Sequence, residues 1–130
     1  MTSSRGSAAL VAMGIVALLF VLSVLVVDLG RYLAARSQAV AAADAAALAA
    51  APVTFRPYGA HHGPRGEAAR FAAANGARVL ACACATNPSY ARRRVEVVVA
   101  IVVDLGLLGR REIRAHSRAE FDPMATLRTP

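Results

Sequence analysis

The sequence predicts an α+β protein, in which a long N-terminal helix that spans a membrane and continues as a stalk precedes a small helix and a three-stranded antiparallel sheet. Three observations predict it: residues 6–27 carry no charge, residues 28–51 are dominated by alanine, and residues 78–121 contain three strand-like patterns. The chain has 130 residues. That length suffices for one small domain and excludes a large multidomain enzyme.

The uncharged run at 6–27 predicts a single membrane-spanning helix. Its 22 residues would measure about 33 Å as a helix, which matches a hydrocarbon core of about 30 Å. A secretory signal would have a shorter apolar region and a cleavage site of small residues after it. We therefore expect the following residues to lie in the membrane: Gly6, Leu10, Ile15, Leu19, Leu22 and Val27.

The flanking charges do not orient this helix, because Arg5 and the amino terminus balance Arg31 and Arg36. The head at residues 1–5 is short and polar, so it is easily kept in the cytoplasm. We therefore expect the C-terminal part of the chain to lie outside the cytoplasm.

Residues 28–51 predict that the helix continues as a stalk beyond the membrane. Alanine is the best helix former, and Pro52 predicts the end of the helix. Because alanine is small, other helices can approach the stalk closely, and we expect it to pack against partner helices. The expected contact and orienting residues are Asp28, Arg31, Asp44 and Leu48. The alternative is an exposed helix whose alanines reflect composition alone.

Residues 64–122 predict a small α+β domain, which follows a loop at 52–63 and precedes a disordered tail at 123–130. A domain of this size folds only if it packs on the stalk or on a partner. Its helix is expected at 64–75, with an apolar stripe formed by Ala68, Phe71, Ala72 and Ala74.

The three strands are expected at 78–86, 95–104 and 111–121. The second is almost continuously apolar, which predicts a central strand that is buried on both faces. The third alternates, which predicts one solvated face and one buried face formed by Ile113, Ala115, Ser117, Ala119 and Phe121.

The two cysteines, Cys82 and Cys84, fall two residues apart on one face of the first strand. In a straight strand this spacing is near the limit for a disulfide, so the two would bond to each other only if the strand bends. Without such a bend, each would either form a disulfide with another chain or remain a small buried thiol. The neighbouring His61 and His62 lack further ligands at metal-binding spacing, so we predict no metal and no cofactor.

The net charge is +7, and 12 of the 15 arginines follow residue 52. A basic surface attracts nucleic acid, anionic lipid or acidic protein. The tightest cluster, at residues 92–94, comes without an RNA-binding motif and with few aromatic residues for stacking, so we expect a solvated strand edge and no nucleic-acid binding. The sequence also contains no phosphate-binding loop, nucleophile elbow or suitably paired carboxylates, so we expect no catalytic residues and no enzymatic activity.

Two segments resemble the TadE/TadG-like proteins of Flp (Tad) pilus assembly. The first includes Arg5–Ala9, the apolar span, Val26–Arg31 and the alanine-rich stretch at 36–51, whose ending Ala-Asp-Ala-Ala-Ala-Leu-Ala-Ala-Ala is the most specific part. The second, Ala72–Ala77 followed by strands, is similar to the short actinobacterial members of the group.

The resemblance implies a membrane-anchored, non-enzymatic component of a pilus-assembly or secretion apparatus, with a cytoplasmic N-terminus and an extracytoplasmic C-terminal domain. Its partners would be the membrane and pilin-like or other Tad components, with a homo-oligomer as a further option. Processed pseudopilins carry a Glu five residues after the cleaved Gly, and the corresponding residue here is Val11. This favours an uncleaved, TadG-like protein over cleavage between Gly6 and Ser7. The alternative function is a membrane-tethered basic module that binds nucleic acid or anionic lipid.

Overall fold

The computed structural model describes residues 3–128 and confirms the α+β fold. A three-stranded antiparallel sheet of order β1-β2-β3 packs with one face against the helices. A short 3₁₀ turn at Arg56–Tyr58 follows the first helix. The elements are α1 (Ser3–Val53), α2 (Gly63–Ala74), β1 (Arg78–Ala83), β2 (Arg93–Leu105), β3 (Gly109–Phe121) and α3 (Pro123–Arg128).

The predicted span and stalk form one continuous helix, α1, of 51 residues. At 1.5 Å per residue its length is about 77 Å. Residues 1 and 2 of the predicted cytoplasmic head lie outside the described residues. Pro52 falls inside the last turn rather than ending the helix before it, and the helix continues for one residue beyond the proline. The hydroxyl of Thr54 then donates a hydrogen bond of 2.6 Å to the carbonyl of Ala51, which closes the helix end.

The core of the domain is built around the alanines of α1. Six of them have no exposed surface: Ala39, Ala42, Ala43, Ala46, Ala47 and Ala50. Val95, Val97 and Val99 of β2 are equally buried in the same cluster, together with Ala68 and Ala72 of α2. The stalk therefore lies at the centre of the domain, and the small domain folds by packing on it.

β2 is the central strand, as predicted, but the predicted burial on its outer face holds only at Ala100, which is 2% exposed. Its pairing with β3 is regular from Arg93 and Phe121 to Leu105 and Gly109. The odd-numbered residues 95–101 point into the core, whereas Val102 on the other face is 49% exposed. The core cluster lies on one side of the sheet only, so the outer face meets solvent. The one-sided burial predicted for β3 is confirmed, because Ile113 and Ala119 are buried on the predicted face.

α2 buries Pro64, Ala68 and Ala72. The predicted stripe is therefore wrong for Phe71 and Ala74, which are exposed. The aromatic ring of Phe71 instead lies 4.7 Å from the guanidinium of Arg70.

A short helix, α3, occupies part of the predicted disordered tail, of which residues 129 and 130 lie outside the described residues. The carboxylate of Asp122 accepts a 3.0 Å hydrogen bond from the backbone N–H of Met124 at the start of this helix. Asp before a first-turn Pro is a helix-start signal, so the sequence does indicate a helix where disorder is predicted.

Candidate functional site

The large aliphatic side chains of the stalk all lie at the surface and outside the core cluster. Within residues 28–51 these side chains are Leu29, Leu33, Val40 and Leu48, and all are exposed, whereas the buried apolar residues there are alanines. Leu48 is 67% exposed. We call Leu29, Leu33, Val40, Asp44 and Leu48 the outer stripe, since their spacing places them along one side of the helix.

The outer stripe contains two of the four residues that were predicted to contact a partner. Asp44 and Leu48 are exposed on it, and Arg31 is exposed nearer the N-terminus of α1. Asp28 differs, because it is 4% exposed and contacts the sheet of its own chain.

The carboxylate of Asp28 binds the turn between β2 and β3. Its Oδ1 accepts a 2.8 Å hydrogen bond from the backbone N–H of Gly106, and its Oδ2 accepts one of 2.8 Å from the N–H of Leu107. We call this contact the Asp28 latch. Two adjacent backbone donors that converge on one carboxylate form a small anion-binding site.

The turn has the residues that this contact requires. Gly106, Leu107 and Leu108 connect the paired Leu105 and Gly109. Gly109 has φ +66°, which suits glycine at the end of a three-residue hairpin loop. A Cβ atom at Gly106 would lie 3.3 Å from Asp28 Oδ1, so glycine allows the close approach of turn and helix.

The latch changes the acidity of Asp28. The hydrogen bond from the N–H of Leu107, followed by that from Gly106, lowers the pKa of the carboxyl below its usual value of 3.8. Burial opposes this effect, and the nearby charge of Arg31 lowers the pKa further. The carboxylate is therefore held in its charged form at neutral pH.

The hairpin tip presents two leucines to the surroundings. Leu107 and Leu108 are each 57% exposed. Between the tip and α1 lies an open groove of about 420 Å³, lined by Leu25, Asp28, Leu29, Tyr32, Leu105 and Leu108. This apolar tip was not predicted from the sequence, although two leucines between glycines are unusual in a turn, where polar residues dominate.

The part of α1 that carries the span, the latch and the outer stripe matches a known family. Residues 6–53 match the family model of TadE/G-like Flp pilus-assembly proteins. This segment is similar to TadE/G-like proteins. No curated protein and no solved structure matches the chain significantly.

The matched segment coincides with a membrane-span candidate. Gly6–Val53 is long and apolar enough to cross a bilayer, and its most apolar window has a mean hydropathy of 3.1. The predicted membrane residues, from Gly6 to Val27, are exposed and form no part of the core. The match covers less than half of the chain and includes neither α2 nor the sheet.

Just beyond the end of the matched segment, a second contact holds the loop between β1 and β2. The guanidinium of Arg93 donates hydrogen bonds to the carbonyls of Thr54 at 2.9 Å and Asn87 at 2.7 Å, and also to those of Ser89 and Ala91. It also lies 5.3 Å from the ring of Phe55. We call this contact the Arg93 latch.

The solvated edge predicted at residues 92–94 is therefore wrong for Arg93. Its two neighbours are exposed and form ion pairs, Arg92 with Asp122 at 3.6 Å and Arg94 with Glu120 at 2.7 Å. Sequence alone gives no signal that distinguishes the middle arginine from the other two.

Arg93→Ala is expected to lower the free energy of unfolding by about 2 kcal/mol, because several charge-assisted hydrogen bonds to backbone carbonyls are lost together. Arg92→Ala is the matched control. Its exposed ion pair with Asp122 predicts a change below about 0.5 kcal/mol. Chemical denaturation of the full chain in mild detergent measures both. If both substitutions lower the free energy of unfolding by the same amount, the Arg93 latch does not stabilise the domain.

Cys82 and Cys84 are joined by a disulfide, with their Cα atoms 5.3 Å apart. The strand is not straight here, because β1 ends at Ala83 and its register with β2 shifts between Val79 and Ala81. The condition for bonding within the chain is thus met, and neither an intermolecular disulfide nor a pair of free thiols is present. His61 and His62 are exposed, and residues 3–128 contain no group of three or more His, Cys, Asp or Glu side chains that could hold a metal ion.

The outer face of the sheet carries ion pairs within and between its strands. Arg118 pairs with Glu96 at 3.3 Å, and Glu112 pairs with both Arg78 and Arg114. The hydrogen bond from Arg114 is the main cause that lowers the pKa of Glu112. Charges of both signs therefore alternate across this face instead of forming a purely basic patch.

Proposed function

We propose that the protein is a single-pass, non-enzymatic component of a Flp/Tad-type pilus-assembly or secretion apparatus. The match of residues 6–53 to the TadE/G-like family supports a role in this apparatus, and the apolar helix supports anchoring in the membrane. In this proposal residues 6–27 cross the membrane. The rest of α1 carries the sheet and α2 close to the membrane surface.

The observation that carries the proposed role is the outer stripe. A helix that buries alanines and exposes leucines presents the larger apolar area to its surroundings, which favours contact with another helix. Asp44 lies between Val40 and Leu48 within this stripe. A charge at one position of an apolar helical contact selects register and partner, so the partner helix should offer a donor opposite Asp44.

The proposed orientation places the N-terminus in the cytoplasm and the sheet outside. The disulfide between Cys82 and Cys84 supports it, because disulfides persist in oxidising compartments and are rare in the cytosol. The resemblance to TadE/TadG-like proteins gives independent support.

Photo-crosslinking in cells that assemble the apparatus tests the proposed contact. A photoreactive amino acid at Leu48 is expected to capture a helix of another Tad component or of a second copy of this chain. The same amino acid at Val102 is the matched control, because Val102 is 49% exposed but lies on the outer face of the sheet. We expect at least about tenfold less adduct from Val102, since contact specificity of this size corresponds to only about 1.4 kcal/mol.

Equal adduct yields from Leu48 and Val102, or capture of no Tad component and no second copy, would contradict the proposed role. The orientation is tested in the same intact cells with His61→Cys, at an exposed position beyond α1. A membrane-impermeant maleimide should label it without permeabilisation, while the chain without this substitution, whose two cysteines are paired, serves as the blank. If the maleimide labels this cysteine only after permeabilisation, the orientation is the opposite one, with the sheet in the cytoplasm.

A further inference from the structure

We propose that the tip of the β2–β3 hairpin, formed by Leu107 and Leu108, inserts into the interface of the bilayer that α1 crosses. The inference rests on the proposed membrane span of residues 6–27. It adds a second membrane contact to the protein, made by the sheet rather than by the helix.

The position of the tip along α1 supports this inference. Asp28 follows the uncharged run directly, and the Asp28 latch holds the turn at that level. Leu108 lines the same groove as Leu25, which lies one turn of helix closer to the membrane centre than Asp28. Because residues 6–27 are about as long as the hydrocarbon core is thick, Leu25 lies at the edge of that core.

Two polar backbone groups of the tip already have hydrogen-bond partners, which suits a poorly hydrated environment. A backbone N–H group that enters lipid without a partner is costly. Here the N–H groups of Gly106 and Leu107 both donate to Asp28, so two donors of the turn already have partners. The side chains that remain at the surface of the tip are two leucines, each 57% exposed.

The surroundings of the tip have the composition of a membrane interface. Tyr32 lines the groove next to Leu108, and aromatic rings of this kind are enriched at the level of the lipid headgroups. Arg31, Arg110 and Arg111 are exposed around the tip. Long cationic side chains at this level reach lipid phosphates while their aliphatic parts cover apolar surface. A soluble partner would have to fit between the domain and the lipid, so the bilayer is the occupant that we infer.

Single tryptophan reporters test the inference, because the chain contains no Trp. The full chain is reconstituted into phosphatidylcholine vesicles whose lipids carry bromine on the upper part of the acyl chain. Leu108→Trp reports the tip, Phe20→Trp reports the membrane span, and Tyr90→Trp reports the opposite end of the domain. We expect bromine to quench Leu108→Trp at least about twofold more strongly than Tyr90→Trp, with a blue-shifted emission. Leu107→Trp should behave like Leu108→Trp.

The outcomes distinguish a failure of the tip insertion from a failure of the membrane anchor. If Phe20→Trp is quenched and both tip reporters behave like Tyr90→Trp, the insertion is overturned while the membrane anchor stands. If Phe20→Trp is not quenched, the anchor and the insertion both fail. If the tip reporters show a blue-shifted emission that depends on protein concentration and not on bromine, a protein covers the tip and the insertion is overturned. Circular dichroism of each variant checks that the sheet is retained.

Discussion

Ala46→Leu is expected to destabilise the domain by about 1–3 kcal/mol, because three additional carbon atoms must fit where α1 leaves no space. Ala46 has no exposed surface and belongs to the cluster that also holds Val97 and Val99. In a small domain this loss is a large part of the total stability. Thermal unfolding of the full chain in mild detergent should show a midpoint lower by about 5–15 °C.

Ala41→Leu is the matched control for this prediction. It makes the same change five residues earlier on the same helix, at an exposed position. Leucine is nearly as good a helix former as alanine, so we expect less than about 0.5 kcal/mol of change. Equal unfolding midpoints for the two variants would show that the alanine face of α1 is not the packed face.

Asp28→Asn is expected to release the β2–β3 turn from α1. The amide side chain has one oxygen acceptor and no charge, so it cannot accept both N–H groups as the carboxylate does. Hydrogen exchange at the amides of Gly106 and Leu107 should become at least about tenfold faster, because local opening no longer breaks two charge-assisted bonds. The unfolding midpoint should fall by about 5 °C.

The pH dependence of this variant provides the control. The pKa of Asp28 is lowered in the folded protein, so its contribution is fully present above the usual value of 3.8 and is lost as the pH falls through the lower folded value. The difference in stability between the parent chain and Asp28→Asn should therefore be largest near neutral pH and shrink below about pH 4. The lowered pKa values of Glu112 and Glu120 affect both chains alike. A difference that stays constant down to pH 2 would mean that the carboxylate charge does not hold the turn.

The elements whose signals are local were predicted well from the sequence. Gly76 ends α2 with φ +72°, where a Cβ atom would lie 2.9 Å from Gln38 Nε2, and the Asn-Gly pair predicted this stop. The alternation in β3 predicted its buried face, because each second residue of a strand points the same way.

The direction of packing around α1 could not be predicted, and the reason is physical. A helix with alanine on every side has no hydrophobic face that the sequence can indicate, and the few leucines normally mark the side that is buried. Here Leu33, Val40 and Leu48 are outside, because the sheet packs against the small residues. The two latches depend on contacts between residues 28 and 106 and between residues 54 and 93, which no local pattern encodes.

The positions of the latches limit how the length of this domain can change. The Asp28 latch joins one end of β2 to α1, and the Arg93 latch joins the other end to Thr54, directly after α1 ends at Val53. The helix covers this interval in about 39 Å at 1.5 Å per residue, and the strand covers it in about 43 Å at 3.3 Å per residue. An insertion in the helix alone or in the strand alone would move the residues of one latch apart. A longer domain that keeps both latches therefore requires about one added helical turn for every two added strand residues. Additions of these lengths also keep the same faces of the helix and the strand turned toward the core.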